Sequence, residues 1–124
     1  MRNTLINAIE LEAEQNKSLF VITGDLGFGV FDKFSTLFPD QFINAGVSEQ
    51  NMTSLACGMA LEGAKVFTYS IGNFSTLRCL EQIRNDICYH NTDVTVITVG
   101  AGFSYGQLGV SHFATEDIAI MRAL

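Results

Sequence analysis

Residues 41–70, with the sequence QFINAGVSEQNMTSLACGMALEGAKVFTYS, decide the fold class of this chain. The segments QFIN (41–44) and KVFTYS (65–70) have the length and the apolar content of strands. Between them, residues 47–62 repeat apolar side chains at helical spacing, and Gly63 follows as the helix stop. Two strands joined by a crossover helix run parallel in one sheet. This stretch therefore predicts an α/β fold.

The same alternation continues on both sides of this stretch. The strands are apolar on both faces, which is typical of strands that are covered by helices from above and below. We therefore expect an α/β three-layer sandwich, with a mainly parallel sheet and helices on both faces. The other predicted elements are helices over 2–15, 31–38, 76–90 and 114–123, and strands over 19–23 and 93–100.

Length and composition indicate one domain and exclude several classes of partner. The chain has 124 residues and a net charge of −6, with only seven Lys and Arg residues. A protein that binds nucleic acid needs many cationic contacts to phosphates, so we expect no nucleic-acid partner. The acidic balance and the lack of a long apolar run predict no membrane partner.

The cysteines and the last predicted helix lead to two further expectations, about the compartment and about the length of the polypeptide. Three cysteines are an odd number without a closely spaced pair, which favours a reducing compartment, the cytoplasm. The last predicted helix has no stop signal, so we expect residues 1–124 to be one domain that is cut from a longer polypeptide.

Ligands of open parallel sheets bind beyond the carboxyl ends of the strands. We call this side of the predicted sheet the carboxyl edge; it collects the loops 24–29, 45–49, 70–74 and 100–112. Its ionisable groups include Glu49 and His112. Glu49 is either a surface charge that favours the helix dipole or a dry acid with a chemical task. His112 is either a structural group near a helix start or a functional one.

Two other site types find little support in the sequence. The loop GDLGFG (24–29) could bind phosphate through its backbone, but it lacks the lysine of a P-loop and the dinucleotide fingerprint. No His and Cys residues have the spacing of a metal site, so we expect no metal ligands in this chain.

The segment FPDQFINAGVSEQNMTSLACGMALEGAKVFTYS (38–70) resembles the pyrimidine-binding domain of the transketolase family. The likeness continues through TLRCLEQIRNDI (76–87) and GVSHFATEDIAIMRAL (109–124). This family includes transketolase, deoxyxylulose-phosphate synthase and the β subunits of 2-oxoacid dehydrogenases. The resemblance implies thiamine diphosphate as the cofactor, with Mg²⁺ held by a partner domain or subunit. It also implies a homodimer, or a heterotetramer with a diphosphate-binding subunit.

The resemblance also implies roles for individual residues. Glu49 matches the family glutamate that hydrogen-bonds a ring nitrogen of the pyrimidine and so activates the cofactor. Phe74 matches the aromatic side chain that stacks on the pyrimidine, and His112 matches a histidine that reaches the hydroxyl end of the substrate. The other residues implied to line the cofactor are Ile71, Asp25 and Leu26.

Two positions depart from the transketolase pattern. Transketolases carry an aspartate four residues before the histidine, where this chain has Leu108, and a phosphate-contacting serine where it has Gly29. The acceptor is therefore either not the usual sugar phosphate or is held by other groups.

The resulting functional hypothesis is a transketolase-like transferase that moves a two-carbon ketol unit between sugar-like substrates. We expect it to be active only with a partner domain or subunit. The alternatives are a deoxyxylulose-phosphate synthase-like or 2-oxoacid dehydrogenase β-type subunit, and a non-catalytic flavodoxin-like or receiver-like regulatory module.

Overall fold

A computed structural model, which describes residues 1–124, shows four parallel strands in one sheet with the order β2-β1-β3-β4. The strands are β1 (Leu19–Thr23), β2 (Phe42–Asn44), β3 (Lys65–Ile71) and β4 (Val94–Val99). The helices are α1 (Arg2–Gln15), α2 (Asp32–Leu37), α3 (Glu49–Leu61), α4 (Gly72–Ser75), α5 (Leu80–Gln82) and α6 (Asp117–Met121). No helix has the length and apolarity needed to span a membrane.

The core has an apolar cluster on each face of the sheet, because successive side chains of a strand point to opposite faces. On one face, α1 and α2 pack through Ile9 and Phe34 against Leu19, Val21 and other strand residues. On the other face, α3 packs through Met52 and Ala56 against Ile22 and Val66. A third cluster joins Cys57, Cys79, Ile83 and Ile87 to the same face. The predicted three-layer α/β sandwich is confirmed.

The strand order places a crevice at the carboxyl edge between β1 and β3. The chain leaves β1 through α2 to reach β2 on one side, and then crosses through α3 to reach β3 on the other side. Since such crossovers are right-handed, α2 and α3 lie on opposite faces. The chain thus turns in opposite directions around β1, and the loops after β1 and β3 separate at this point.

The prediction of one regular α-helix over 76–90 is wrong. Residues Gly72–Ser75 form α4, a turn follows, and α5 covers only Leu80–Gln82. The chain then continues as a π-helix over Ile83–Cys88, in which the amide of Tyr89 donates to the carbonyl of Arg84. The apolar spacing is still informative, because Ile83 and Ile87 are buried as predicted.

Several predicted element ends also differ. The helix predicted over 47–62 begins at Glu49, and the one predicted over 114–123 is shortened to Asp117–Met121. The loop predicted over 101–112 contains two 3₁₀ turns, Gly106–Leu108 and Val110–His112. These differences change no neighbour in the sheet.

Candidate active site

Glu49 begins α3 at the carboxyl edge, in the crevice between β1 and β3. Its side chain is 2% exposed, so it is a buried acid and not a surface charge. Oε1 lies 3.5 Å from the Ser70 hydroxyl at the end of β3. A Cβ added to Gly24, just after β1, would lie 3.2 Å from Cγ and 3.4 Å from Oε1 of Glu49. The absence of a side chain at Gly24 therefore leaves space beside the carboxylate.

Arg78 supplies the charge partner of this acid. Nη1 of Arg78 donates to Oε2 of Glu49 at 2.8 Å. The guanidinium carbon also lies 4.0 Å from the centre of the Phe74 ring, which is cation–π geometry. Arg78 thereby connects the acid to the aromatic ring that the sequence singled out.

Phe74 and His112 come together across two loops. Their ring centres lie 4.9 Å apart in an edge arrangement. The loop that carries His112 reaches α4 because Gly72 has no side chain: a Cβ there would lie 2.6 Å from that of Ala114. Nδ1 of His112 lies 3.0 Å from the Ser111 hydroxyl. Glu49, Arg78, Phe74 and His112 thus form one continuous series of contacts.

Asn44 joins the loops that follow β1 and β2. Its Oδ1 accepts from the amides of Asp25 at 3.1 Å and Gly46 at 3.0 Å, and its Nδ2 donates to the Asp25 carboxylate at 3.0 Å. Asp25 has a positive φ of 54°, a conformation that aspartate tolerates better than most residues. The Asn44 side chain therefore holds an unfavourable backbone turn in place.

The two remaining predicted residues lie beside this group. Leu26 is half-buried and packs against the core cluster beneath α1 and α2. Ile71 is the last residue of β3, and its carbonyl accepts from the Ser75 hydroxyl in α4 at 2.9 Å. Ile71 therefore supports the turn that presents Phe74.

Cys79 lies behind the site in a dry environment. Burial raises the pKa of the Cys79 thiol, and a hydrogen bond with Thr53 opposes this shift. Its Sγ lies 3.1 Å from the carbonyl oxygen of Phe74. The thiol therefore stays protonated at neutral pH and supports the Phe74 turn.

No cluster of three or more His, Cys, Asp or Glu side chains could hold a metal ion. Asp25, on the loop after β1, accepts a hydrogen bond at Oδ1 from Nδ2 of Asn44 at 3.0 Å. The carboxyl edge offers an acid, an aromatic ring and an imidazole, which are groups that can hydrogen-bond and stack on a planar nitrogen heterocycle.

Sequence reasoning missed Arg78, Ser70 and Asn44. The available signal for Arg78 was its position four residues after Phe74 on a tight turn. Asn44 ends a strand directly before a glycine-containing loop, where asparagine often bonds the following backbone. Neither signal identifies the bonding partner, which lies 19 residues away along the chain for Asn44 and 29 residues away for Arg78.

The chain is similar to known proteins along its whole length. The family model described as "Transketolase, pyrimidine binding domain" matches residues 1–124. A protein named "Putative transketolase C-terminal section" from Methanocaldococcus jannaschii is 42% identical over 117 residues, covering 94% of this chain and 37% of that protein. One of the subunits of an apulose-4-phosphate transketolase from Phocaeicola vulgatus is 34% identical over 111 residues, covering 89% of this chain and 36% of that protein.

Other relatives carry a different name. A 1-deoxy-D-xylulose-5-phosphate synthase of Trichormus variabilis is 34% identical over 113 residues, covering 90% of this chain and 18% of that enzyme. This likeness fits the alternative drawn from the sequence, but the split transketolases match at higher identity or over a larger share of their own length.

A solved structure described as "Split gene transketolase, inactive beta4 tetramer" superposes with a TM-score of 0.82 at 32% identity, covering 96% of this chain and 38% of that chain. A transketolase of Pichia stipitis also reaches 0.82, at 19% identity, over 98% of this chain and 20% of its own, which supports the fold alone. This chain spans a little over a third of the split transketolases it matches. With the family model matched along its whole length, the chain belongs to the transketolase pyrimidine-binding domain family.

Proposed function

We propose that this chain is the pyrimidine-binding part of a thiamine diphosphate-dependent transferase that moves a two-carbon ketol unit between sugar-like substrates. The observation that carries the proposal is the buried Glu49 carboxylate in the crevice between β1 and β3. The split transketolases among its relatives support the same reaction class, and family membership argues against a flavodoxin-like or receiver-like regulatory module.

The crevice fits one edge of a planar pyrimidine ring. Oε2 of Glu49 is held by Arg78, whereas Oε1 has only the long contact with Ser70, so Oε1 can still accept a strong hydrogen bond. The missing side chain at Gly24 lets a ring approach this oxygen closely. The chemistry that thiamine diphosphate supplies when bound is a carbon nucleophile that attacks a ketose carbonyl.

The chain's own residues then have defined tasks. Glu49 shares a proton with the ring nitrogen, in a dry site where such a proton is not lost to water. Phe74 supports the plane of the ring, while Ile71, Leu26 and Asp25 line its approach. His112, at the mouth beside Phe74, hydrogen-bonds the hydroxyl end of the substrate.

The diphosphate and Mg²⁺ are assigned to a partner domain or a partner chain, since the residues described above offer no metal ligand cluster. The carboxyl edge also exposes large apolar side chains, which marks a surface that another protein covers. These are Phe28, Val47, Phe103 and Val110. We propose a homodimer, or a heterotetramer with a diphosphate-binding subunit. We also propose that residues 1–124 are one domain of a longer polypeptide and that this polypeptide lies in the cytoplasm.

A binding titration tests this proposal. The assembled enzyme, this chain together with its partner, is titrated with thiamine diphosphate and Mg²⁺ in a calorimeter, and the chain alone is titrated in parallel. We expect saturable binding only by the assembled enzyme, because the diphosphate ligands lie in the partner. Micromolar binding by the chain alone would overturn the assignment of the diphosphate site, and no binding by the assembly would overturn the cofactor.

The similarity to such an enzyme supports the deoxyxylulose-phosphate synthase alternative. Substrate tests separate the two reactions. A transketolase-like enzyme takes a ketose donor and releases an aldose, whereas a synthase takes a 2-oxoacid donor and releases carbon dioxide. We expect ketose consumption without carbon dioxide release.

A further inference from the structure

The two groups proposed to meet the pyrimidine ring, Glu49 and Phe74, are held by one side chain. Arg78 donates to Oε2 of Glu49 and covers one face of the Phe74 ring. We propose that Arg78 is a positioning residue, which fixes the acid and the ring as one preformed surface for the pyrimidine. This inference rests on the proposed function.

The carboxylate needs such a partner. A buried carboxylate without a charge partner is costly, and at 2% exposure Glu49 has little access to water. Arg78 binds Oε2 from the solvent side, since its own side chain is 41% exposed. The bond fixes the carboxylate rotation, so that Oε1 stays in the crevice beside Gly24 and Ser70.

The ring is fixed by the same guanidinium. A planar guanidinium stacks well on an aromatic face, which an ammonium group cannot do. With Arg78 on one face of Phe74, the pyrimidine ring would have to stack on the opposite face. His112 meets Phe74 edge-on and does not stack in parallel with it.

Arg78 is itself held by a closed turn. Its amide donates to the carbonyl of Asn73 at 3.2 Å, and the Thr76 hydroxyl donates to the carbonyl of Gly72. Phe74 and Arg78 therefore sit on one short turn, and their side chains meet because the turn brings positions four apart to the same side. Local backbone geometry thus sets the distance between the ring and the cation.

A second possible role of Arg78 predicts the opposite effect of its removal on cofactor binding. A guanidinium that donates to Glu49 and lies on Phe74 could instead occupy the place of the pyrimidine ring, and it would then have to leave when the cofactor binds. Removal of Arg78 weakens cofactor binding in the first case and tightens it in the second.

The experiment uses the assembled enzyme with three variants of this chain. Arg78→Met keeps a long unbranched stem and removes the charge; Arg78→Lys keeps the charge and removes the planar group. Arg84→Met is the matched control, because Arg84 is exposed and its guanidinium bonds only the neighbouring Asn85. Calorimetry gives the affinity for thiamine diphosphate with Mg²⁺. Nuclear magnetic resonance gives the rate of deuterium exchange at the reactive carbon of the bound cofactor, without any substrate.

We expect Arg78→Met to weaken cofactor binding by about tenfold or more, as the loss of a charged hydrogen bond does. Deuterium exchange at saturating cofactor should slow as well, because a rotated Glu49 shares its proton poorly. Arg78→Lys should recover part of both losses, and Arg84→Met should match the wild type. A residue that only stabilised the fold would lower the melting temperature without changing exchange at saturation.

Unchanged affinity and exchange in Arg78→Met would overturn the inference, and tighter binding would show that Arg78 occupies the place of the ring. If Arg78→Met fails to assemble, Arg78→Lys decides: wild-type affinity and exchange in that variant would overturn the inference too. Absence of cofactor binding by the wild-type assembly is a separate outcome, which rejects the proposed function itself.

Discussion

The side chains of Asn44 and Asp25 lie across the ends of β1 and β2, where two hydrogen bonds join the residues. The amide of Asp25 donates to Oδ1 of Asn44 at 3.1 Å, and Nδ2 of Asn44 donates to the Asp25 carboxylate at 3.0 Å. The strands pair in register up to Thr23 and Asn44, which brings the two loops side by side. One asparagine therefore sets the path of the loop that carries Leu26.

Replacing Asn44 by alanine should loosen this loop. We expect the concentration of thiamine diphosphate needed for half-maximal activity to rise by about ten- to hundredfold, because the lost bonds contribute about 1 kcal/mol each and about 1.4 kcal/mol is tenfold in affinity. The maximal rate should change less, since Glu49 is held from another element. Asn16→Ala is the control: Asn16 also bonds a following amide, that of Ser18, but at the opposite edge of the sheet. Equal effects of the two variants would contradict this prediction.

Glu49→Gln should remove most activity while the fold survives. Loss of a proton-sharing group lowers rates by about 10²–10⁴. We expect the free energy of unfolding to change by no more than about 1 kcal/mol, because glutamine still fits the first turn and Arg78 is exposed enough to reach water. Turnover at saturating cofactor checks the rate, and Glu62→Gln, on the exposed end of α3, is the control. Near-normal turnover would show that Glu49 acts only as a charge at the start of α3.

Gly24→Ala tests the crevice itself. The new methyl group would lie 3.2 Å from Cγ of Glu49 and 3.4 Å from the Ser70 hydroxyl. The acid must shift by a few tenths of an ångström, and we expect about a tenfold loss in turnover, since small displacements at reacting groups are costly. Gly106→Ala is matched to it, because a Cβ there meets no atom within 4 Å. Similar activity in both variants would show that the crevice has spare room.

Gly58→Leu tests the assembly. Gly58 lies within α3, three residues before its last residue Leu61. Glycine inside a helix costs about 1 kcal/mol relative to alanine. Gly58 is exposed, and a Cβ there meets no atom within 4 Å, so packing on the chain's own sheet does not explain it. We expect the partner chain to approach α3 closely here, and the leucine variant to sediment as smaller particles with reduced activity. An unchanged sedimentation profile together with unchanged activity would exclude α3 as the contact.

Alkaline pH should destabilise the fold. The hydrogen bond with Glu12 raises the pKa of Lys65 above its ordinary value of 10.5. Because the folded-state pKa is the higher one, the contribution is fully present below pH 10.5 and is lost as the pH rises through the folded-state value. The melting temperature should therefore fall above this pH, and fall less in Lys65→Met. An equal decline in both proteins would assign the loss to other groups, such as Tyr69, whose pKa burial raises.

The order of strands and helices could be predicted from the sequence, and so could the position of Glu49 at the carboxyl edge. Both predictions rest on short stretches of sequence. Apolar runs such as LFVIT indicate buried strands. An acid that follows Ala45, Gly46 and Val47 at a strand–helix junction lies at the carboxyl edge of a parallel sheet. The π-helix over Ile83–Cys88 could not be predicted, because its inner residues Ile83 and Ile87 have the spacing of an ordinary helix.

The sequence by itself determined the α/β class, the edge that holds the site and the acid in it, because periodicity and strand ends are properties of neighbouring residues. Only the tertiary structure decided which side chains meet that acid. Arg78 reaches Glu49 across 29 positions and Asn44 reaches Asp25 across 19. Asn44 meets Asp25 because β2 and β1 are neighbours in the order β2-β1-β3-β4, whereas Arg78 meets Glu49 because α3 crosses from β2 past β1 to β3, the strand that Arg78 follows. Charge and hydrogen-bonding capacity can be read from a residue's type, whereas its partner depends on how the sheet is assembled.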